Sequence, residues 1–279
     1  MPVIAVVNRK GGSGKSTLSA HIAAWCARQG HSVMLGDVDR QQSSRAWLKR
    51  RAPTLPAIAP WALDQKNVLR VPTGITHVVL DTPGGIHGFE LARVVMFADA
   101  IIMPVCHSVF DRESAAACHA ELMALPRVAS GRCRLATVGM RIDGRTSAGE
   151  VLRKWSEDLG LPFLGVLRET QLYVRCLERG LTIFDLTPSQ AATDMAQWLR
   201  LQLGSGTVDG VEIVNAKALG ETHIPHMVSS PVANGSRVPA WPTISPGRAR
   251  RIRATTSWEV TPAGLSTRTM PPGPAASLT

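Results

Sequence analysis

Apolar and polar positions along the first 203 residues follow two alternating patterns. Short apolar runs at 3–7, 33–35, 77–80, 100–105, 135–138 and 163–167 have the length and continuity of strands buried on both faces. Between them lie longer stretches, 16–29, 42–51, 89–97, 112–125, 147–159 and 189–203, that read as helices. Gly30 follows the first helix as a stop, and Pro188 with Ser189 suits the start of the last. Strand and helix in alternation predict an α/β fold: a doubly wound, mainly parallel sheet with helices on both faces.

Near Gly204 the pattern stops. Residues 204–279 hold nine of the 19 prolines and eight of the 24 glycines, with no sustained period. This predicts a folded domain over 1–203 and a mostly disordered tail over 204–279. The tail carries seven Lys and Arg against four acids, so +7 of the net charge of +10 belongs to the domain. A polyanionic partner is therefore expected of the domain as well as the tail. The five cysteines are odd in number, widely spaced and lack a CxxC, which argues against a disulfide framework and a zinc site. No apolar run reaches the ~18 residues of a membrane span, and the first residues lack the order of a signal peptide, so a cytoplasmic protein is expected.

The first predicted strand runs into Lys10-Gly11-Gly12-Ser13-Gly14-Lys15-Ser16-Thr17. Glycines at a strand exit let backbone N–H groups turn inward around phosphate oxygens, and the following helix points its positive end at them. Lys15 then reaches the β- and γ-phosphates of ATP, and the Ser16 hydroxyl binds Mg²⁺. The second strand leads to Asp37-Val38-Asp39-Arg40-Gln41-Gln42-Ser43. Along a strand these two carboxylates would share one face, which meets the phosphate loop if this strand neighbours the first. The third strand ends in Asp81-Thr82-Pro83-Gly84-Gly85, an acid closing an apolar run, where Asp81 would hold Mg²⁺ through water.

These three loops, in this order, resemble the deviant Walker A ATPases of the ParA/MinD family, short ParA-like type. The resemblance covers about residues 2–203. It implies that Lys10 crosses an ATP-sandwich homodimer to the partner's phosphates while Lys15 acts in its own site. It implies that Asp39 orients or activates the attacking water and that Asp37 supports the metal and loop. Arg40 stands where the family usually has proline, which loosens the loop. The segments around Pro104 and from Arg168 to Asp185 fit the same family. The family also implies nonspecific binding to nucleoid DNA through late arginines: Arg168 and Arg175 first, then Arg153 and Lys154. Arg45, Lys49, Arg50 and Arg51 cluster on the predicted helix after the second strand and are a further basic surface for such binding. Prolines from 271 to 274 break up any terminal membrane helix of the MinD type. A stimulating partner and a positioned cargo (a plasmid or chromosome, a chemoreceptor cluster, a carboxysome-like body) complete the expectation. The alternative is an ATP-dependent ligase or synthetase of the related metabolic group.

Overall fold

The computed structural model describes residues 1–62 and 71–203. The tail expected over 204–279, including its terminal prolines, lies outside the described residues. In chain order the elements are β1 (Val3–Val6), α1 (Lys15–Arg28), β2 (Val33–Asp37), α2 (Ser43–Arg50), β3 (Ile58–Ala62) and β4 (His77–Asp81). There follow α3 (Gly88–Phe97), β5 (Ala100–Val105), α4 (Val109–Met123), α5 (Pro126–Ala129), β6 (Arg134–Ile142) and α6 (Ala148–Asp158). The described chain closes with β7 (Phe163–Arg168), α7 (Gln171–Glu178), a 3-10 turn (Ile183–Asp185) and α8 (Pro188–Leu203).

The strands form one sheet in the order β3-β2-β4-β1-β5-β6-β7, and every pair is parallel. Successive side chains alternate between two cores. Ile4, Val6, Leu35, Val79 and Ile102 pack with α1, α7 and α8, while Val3, Ala5, Met34, Val78, Leu80 and Ile101 pack with α3 and α4. Both faces are covered, which is why the strands read as continuous apolar runs. From β1 the chain builds one side of the sheet, through β2 to β4, before crossing to β5. This reversal opens a crevice at the carboxyl ends of the central strands, where ligands bind in such sheets. The condition that β2 neighbour β1 is not met: β4 lies between them.

Besides the short helix α5 and the 3-10 turn, two elements were not legible. β3 contains Pro60, which removes a ladder donor and reads as a strand breaker. It survives because, among the described residues, β3 is an edge strand bonded only to β2. The short helix α7 buries Tyr173 and Cys176, three residues apart, against α1 and α8. Helix α4 begins at Val109 rather than 112, because Ser108 caps it by accepting a hydrogen bond from the Asp111 amide at 3.2 Å.

Candidate nucleotide site

Three loops meet at the crevice. The loop after β1 enters α1 through Gly14, whose φ of +92° is left-handed. This conformation calls for glycine; a Cβ there would also meet the flexible end of the Met140 side chain, 2.7 Å from its Cε. The loop after β4 lies directly against it: a Cβ on Gly84 would be 3.3 Å from the Gly11 Cα. The loop after β2 closes the third side, entering α2 through Gln42 in a left-handed conformation.

Together they bound a cleft of about 700 Å³. Gly11, Gly12, Gly14, Lys15, Ser16 and Thr17 form one wall, and Asp39, Gln41, Ser43, Thr82, Pro83 and Gly84 another. Met140, Arg141 and the stretch from Arg168 to Gln171 form a third. The Ser13 hydroxyl is buried without a hydrogen-bond partner. The Lys15 ammonium donates to the Lys10 carbonyl at 2.9 Å, and the residue as a whole is buried. Burial lowers its pKa, while the charges of Asp81 and Asp39 act in the opposite direction.

The carboxylates lie at different depths. Asp39 lines the cleft, and its Oδ1 accepts from the Gln41 amide at 3.0 Å. It lies beyond the end of β2, so the shared strand face expected for Asp37 and Asp39 does not form. Asp37 is buried below. Its two oxygens accept from the Asp39 amide at 3.0 Å and the Arg45 amide at 3.1 Å, tying the loop to the start of α2. Asp81 is fully buried; the hydroxyls of Ser19, at 3.3 Å, and of Ser44 donate to it. Burial pushes Asp81 up to about 6, against the pull of the Ser44 and Ser16 hydroxyls, and raises Asp37 as well.

This donor set fits magnesium. Two carboxylates and a serine hydroxyl are hard oxygen ligands, and both carboxylates are buried. Among the described residues no three His, Cys, Asp or Glu side chains form a closed cage. An octahedral ion here would complete its shell from phosphate oxygens and water. The bare Ser13 hydroxyl and the inward lysine suit an anion of triphosphate size.

Lys10 does not line the cleft. Its Nζ is 2.7 Å from Asp111 Oδ1, at the start of α4, and its amide donates to Asn8 Oδ1 at 2.9 Å. Burial alone would raise Asp111, but Lys10 and the Ser108 hydroxyl hold it below the usual range. Thr82 donates to the Val6 carbonyl at 2.7 Å, pinning the β4 loop to β1.

The basic residues divide. Arg153 is held by Glu150 at 2.8 Å and Glu157 at 2.5 Å, and Lys154 by Asp158 at 3.1 Å. Arg168 makes a two-pronged pair with the buried Asp194, at 2.9 and 2.8 Å, beside the cleft. Arg51 does the same with Asp185, at 2.9 and 3.2 Å, inside the protein. Arg175, Arg179, Lys49 and Arg50 are exposed. They belong to α7, its C-terminal end and α2, which touch: Arg50 Nη2 donates to the Leu177 carbonyl at 3.4 Å.

Several cleft residues were not singled out from the sequence. Arg141 has a left-handed φ of +57° at an irregularity in the β6–β7 register, and no motif marks it. Glu169 and Gln171 enter only because β7 ends at the same edge as β1. Asp111 carried a visible signal, the Ser-x-x-Asp of a helix start, but nothing in it points to Lys10.

Comparison with known proteins gives the family and the fold. The chain is 30% identical over 204 residues to the maintenance of carboxysome distribution protein A of Gloeobacter kilaueensis, covering 71% of this chain and 91% of that protein. It is 25% identical over 189 residues to the protein of the same name from Halothiobacillus neapolitanus, covering 66% and 87%. The fold matches a Cyanothece McdA variant in complex with ATP, with a TM-score of 0.58 at 12% identity, over 73% of this chain and 96% of that one. The CobQ/CobB/MinD/ParA nucleotide binding domain matches residues 4–183, and the chain belongs to this family.

Proposed function

We propose that the chain is a ParA-like, Mg²⁺-dependent ATPase that positions a cargo. Residues 1–203 are its ATPase domain and 204–279 a basic tail. The observation that carries the reading is the pair of lysines: Lys15 turned into the cleft, and Lys10 one loop residue before the glycines yet outside it. A single-site ATP-binding enzyme needs only the first.

In this reading Gly11, Gly12, Ser13, Gly14, Ser16 and Thr17 cradle the phosphates with Lys15. Ser16 and Asp81 hold the ion, and Asp37 supports both the ion and the loop above it. The ion, when bound, neutralises charge developing on the β- and γ-phosphate oxygens. Asp39 positions the attacking water. Lys10 reaches the partner's phosphates in an ATP-dependent homodimer and adds charge stabilisation there. The dimer associates with the nucleoid, binding DNA without sequence preference, and a partner protein stimulates hydrolysis to release it. Arg175 carries this contact, with Arg179, Lys49 and Arg50 beside it. Arg153, Lys154 and Arg168 contribute less, because each is held by a carboxylate. The names of the two curated relatives favour a carboxysome-like body as cargo.

Light scattering with and without ATP, combined with an ATPase assay with and without duplex DNA, tests this. The expected result is an ATP-dependent dimer with hydrolysis that needs no organic substrate. A chain that stays monomeric with ATP, and hydrolyses it only when a carboxylic acid is supplied, would instead be a ligase of the related metabolic group. Lys15→Ala is expected to weaken ATP binding by about 100-fold, since a charge-assisted bond to phosphate is lost.

A further inference from the structure

The contact between Lys10 and Asp111 has no part in the chemistry described above. Its partners are 101 residues apart and meet because β5 lies beside β1, which brings the loop after each to the same edge. The pair is well built. Asp111 is mostly buried, and its second oxygen accepts from the Ser108 hydroxyl. Lys10 is restrained at two further points: its amide on Asn8, and its carbonyl under the Lys15 ammonium. Asn8 is anchored in turn, donating to the Pro104 carbonyl at 2.7 Å.

A lysine fixed in this way cannot also reach a phosphate on another chain. Its side chain has one ammonium, and the carboxylate that holds it belongs to its own protomer. We propose that Asp111 is a positioning residue that latches Lys10 in the single chain and must release it before the ATP dimer forms. This inference rests on the proposed role of Lys10 across the dimer. The latch serves two ends. It keeps a mobile cation away from the protomer's own nucleotide, and it sets the concentration at which dimers appear. Both protomers must open, so the effect on the dimer constant is the square of the effect on one latch. An ion pair with a partly exposed lysine shifts an equilibrium by about threefold, which makes about tenfold for the dimer.

The test compares the full chain with Asp111→Asn, which removes the charge and keeps the size. Two quantities are measured: the rate at which acetic anhydride modifies Lys10 without nucleotide, read by mass spectrometry, and the dimer dissociation constant with ATP. The first reads the latch directly, and a purely structural role for Asp111 would not change it selectively among the lysines. The expected result is faster modification of Lys10 alone and a dimer about tenfold tighter. Unchanged Lys10 reactivity overturns the proposal. So does a raised reactivity with an unchanged or weaker dimer. If neither protein dimerises with ATP, the proposed function fails and the latch with it; a wild-type dimer unaltered by the substitution overturns the latch alone. Should the asparagine variant melt early, Asp111→Ser is measured in its place, with the same outcomes.

Discussion

Asp37 and Asp81 are register partners on β2 and β4, side by side at the carboxyl end of the sheet and both buried. One holds backbone amides of the loop beyond β2, and the other receives the hydroxyls of Ser19 and Ser44. Ser44 belongs to the first turn of α2, so that helix is tied to both carboxylates. Anything that recruits Asp81 therefore bears on the loop that carries Asp39.

This coupling sets the expectation for Asp39. The side chain lines the cleft and supports only the next amide but one, so its removal leaves the surrounding structure in place. Asp39→Ala is expected to bind ATP and dimerise normally while hydrolysis slows by about 10²- to 10⁴-fold, the usual worth of a positioned base. Single-turnover phosphate release alongside equilibrium nucleotide binding checks this, and normal turnover would remove Asp39 from the role.

DNA binding should separate two arginines that look equivalent in the sequence. Arg175→Glu is expected to weaken ATP-dependent DNA binding evenly across sequences and to leave the melting temperature unchanged. The same substitution at Arg168 sets a second carboxylate against the buried Asp194 and is expected to destabilise the domain. Wild-type affinity should fall with salt, with a log–log slope of about −0.9 per phosphate contacted. Fluorescence anisotropy with two unrelated duplexes, paired with thermal melts, distinguishes these outcomes; a DNA affinity indifferent to Arg175→Glu would exclude α7.

Arg51 tests the interior. It joins the end of α2 to the 3-10 turn before α8, and its partner Asp185 also closes a capping box with Thr182. Arg51→Ala would leave Asp185 buried with only the Thr182 amide and hydroxyl as close donors, and Arg28 3.8 Å away. A loss of about 3 kcal/mol is expected, the range for breaking a buried pair from one side. Urea unfolding measures it, and a loss well under 1 kcal/mol would mean that Asp185 finds another partner.

His21 governs part of the acid limb. It is fully buried among Tyr173, Phe184 and Trp198, its Nδ1 on the Thr17 carbonyl at 2.8 Å and its Nε2 accepting from the Ile183 amide at 3.3 Å. Burial lowers its pKa to about 4. The unfolded chain takes up this proton near 6.5 and the folded one only near 4, so stability falls as pH drops through that window. The difference amounts to roughly 3 kcal/mol at 1.36 kcal/mol per pH unit. His21→Gln should flatten the slope between pH 6.5 and 4, leaving the share of His77, also lowered to about 4, and of His119, lowered by burial as well. Parallel urea titrations at several pH values check this; identical slopes would show that His21 already titrates in the folded state.

What the chain determined by itself is local. Runs of apolar residues fall on β1, β2, β4, β5 and β6 because a strand covered on both faces has no polar side to interrupt it; the run on the half-buried edge strand β7 is readable too. The glycines and Lys15 of the first loop, and the acids that end β2 and β4, were readable because turn geometry and phosphate chemistry demand those residue types at those spacings. Strand order was not readable. That β4 separates β2 from β1, so that Asp37 faces Asp81 across one ladder, is decided by packing between segments far apart in sequence. The same holds for charge. Arg51, Arg153, Arg168 and Arg175 are alike as letters, but three of them meet carboxylates that only the folded chain brings or turns towards them. Lys10 and Asp111 show the same: each has a clear local reason to be present, and their contact exists only because β5 is laid beside β1.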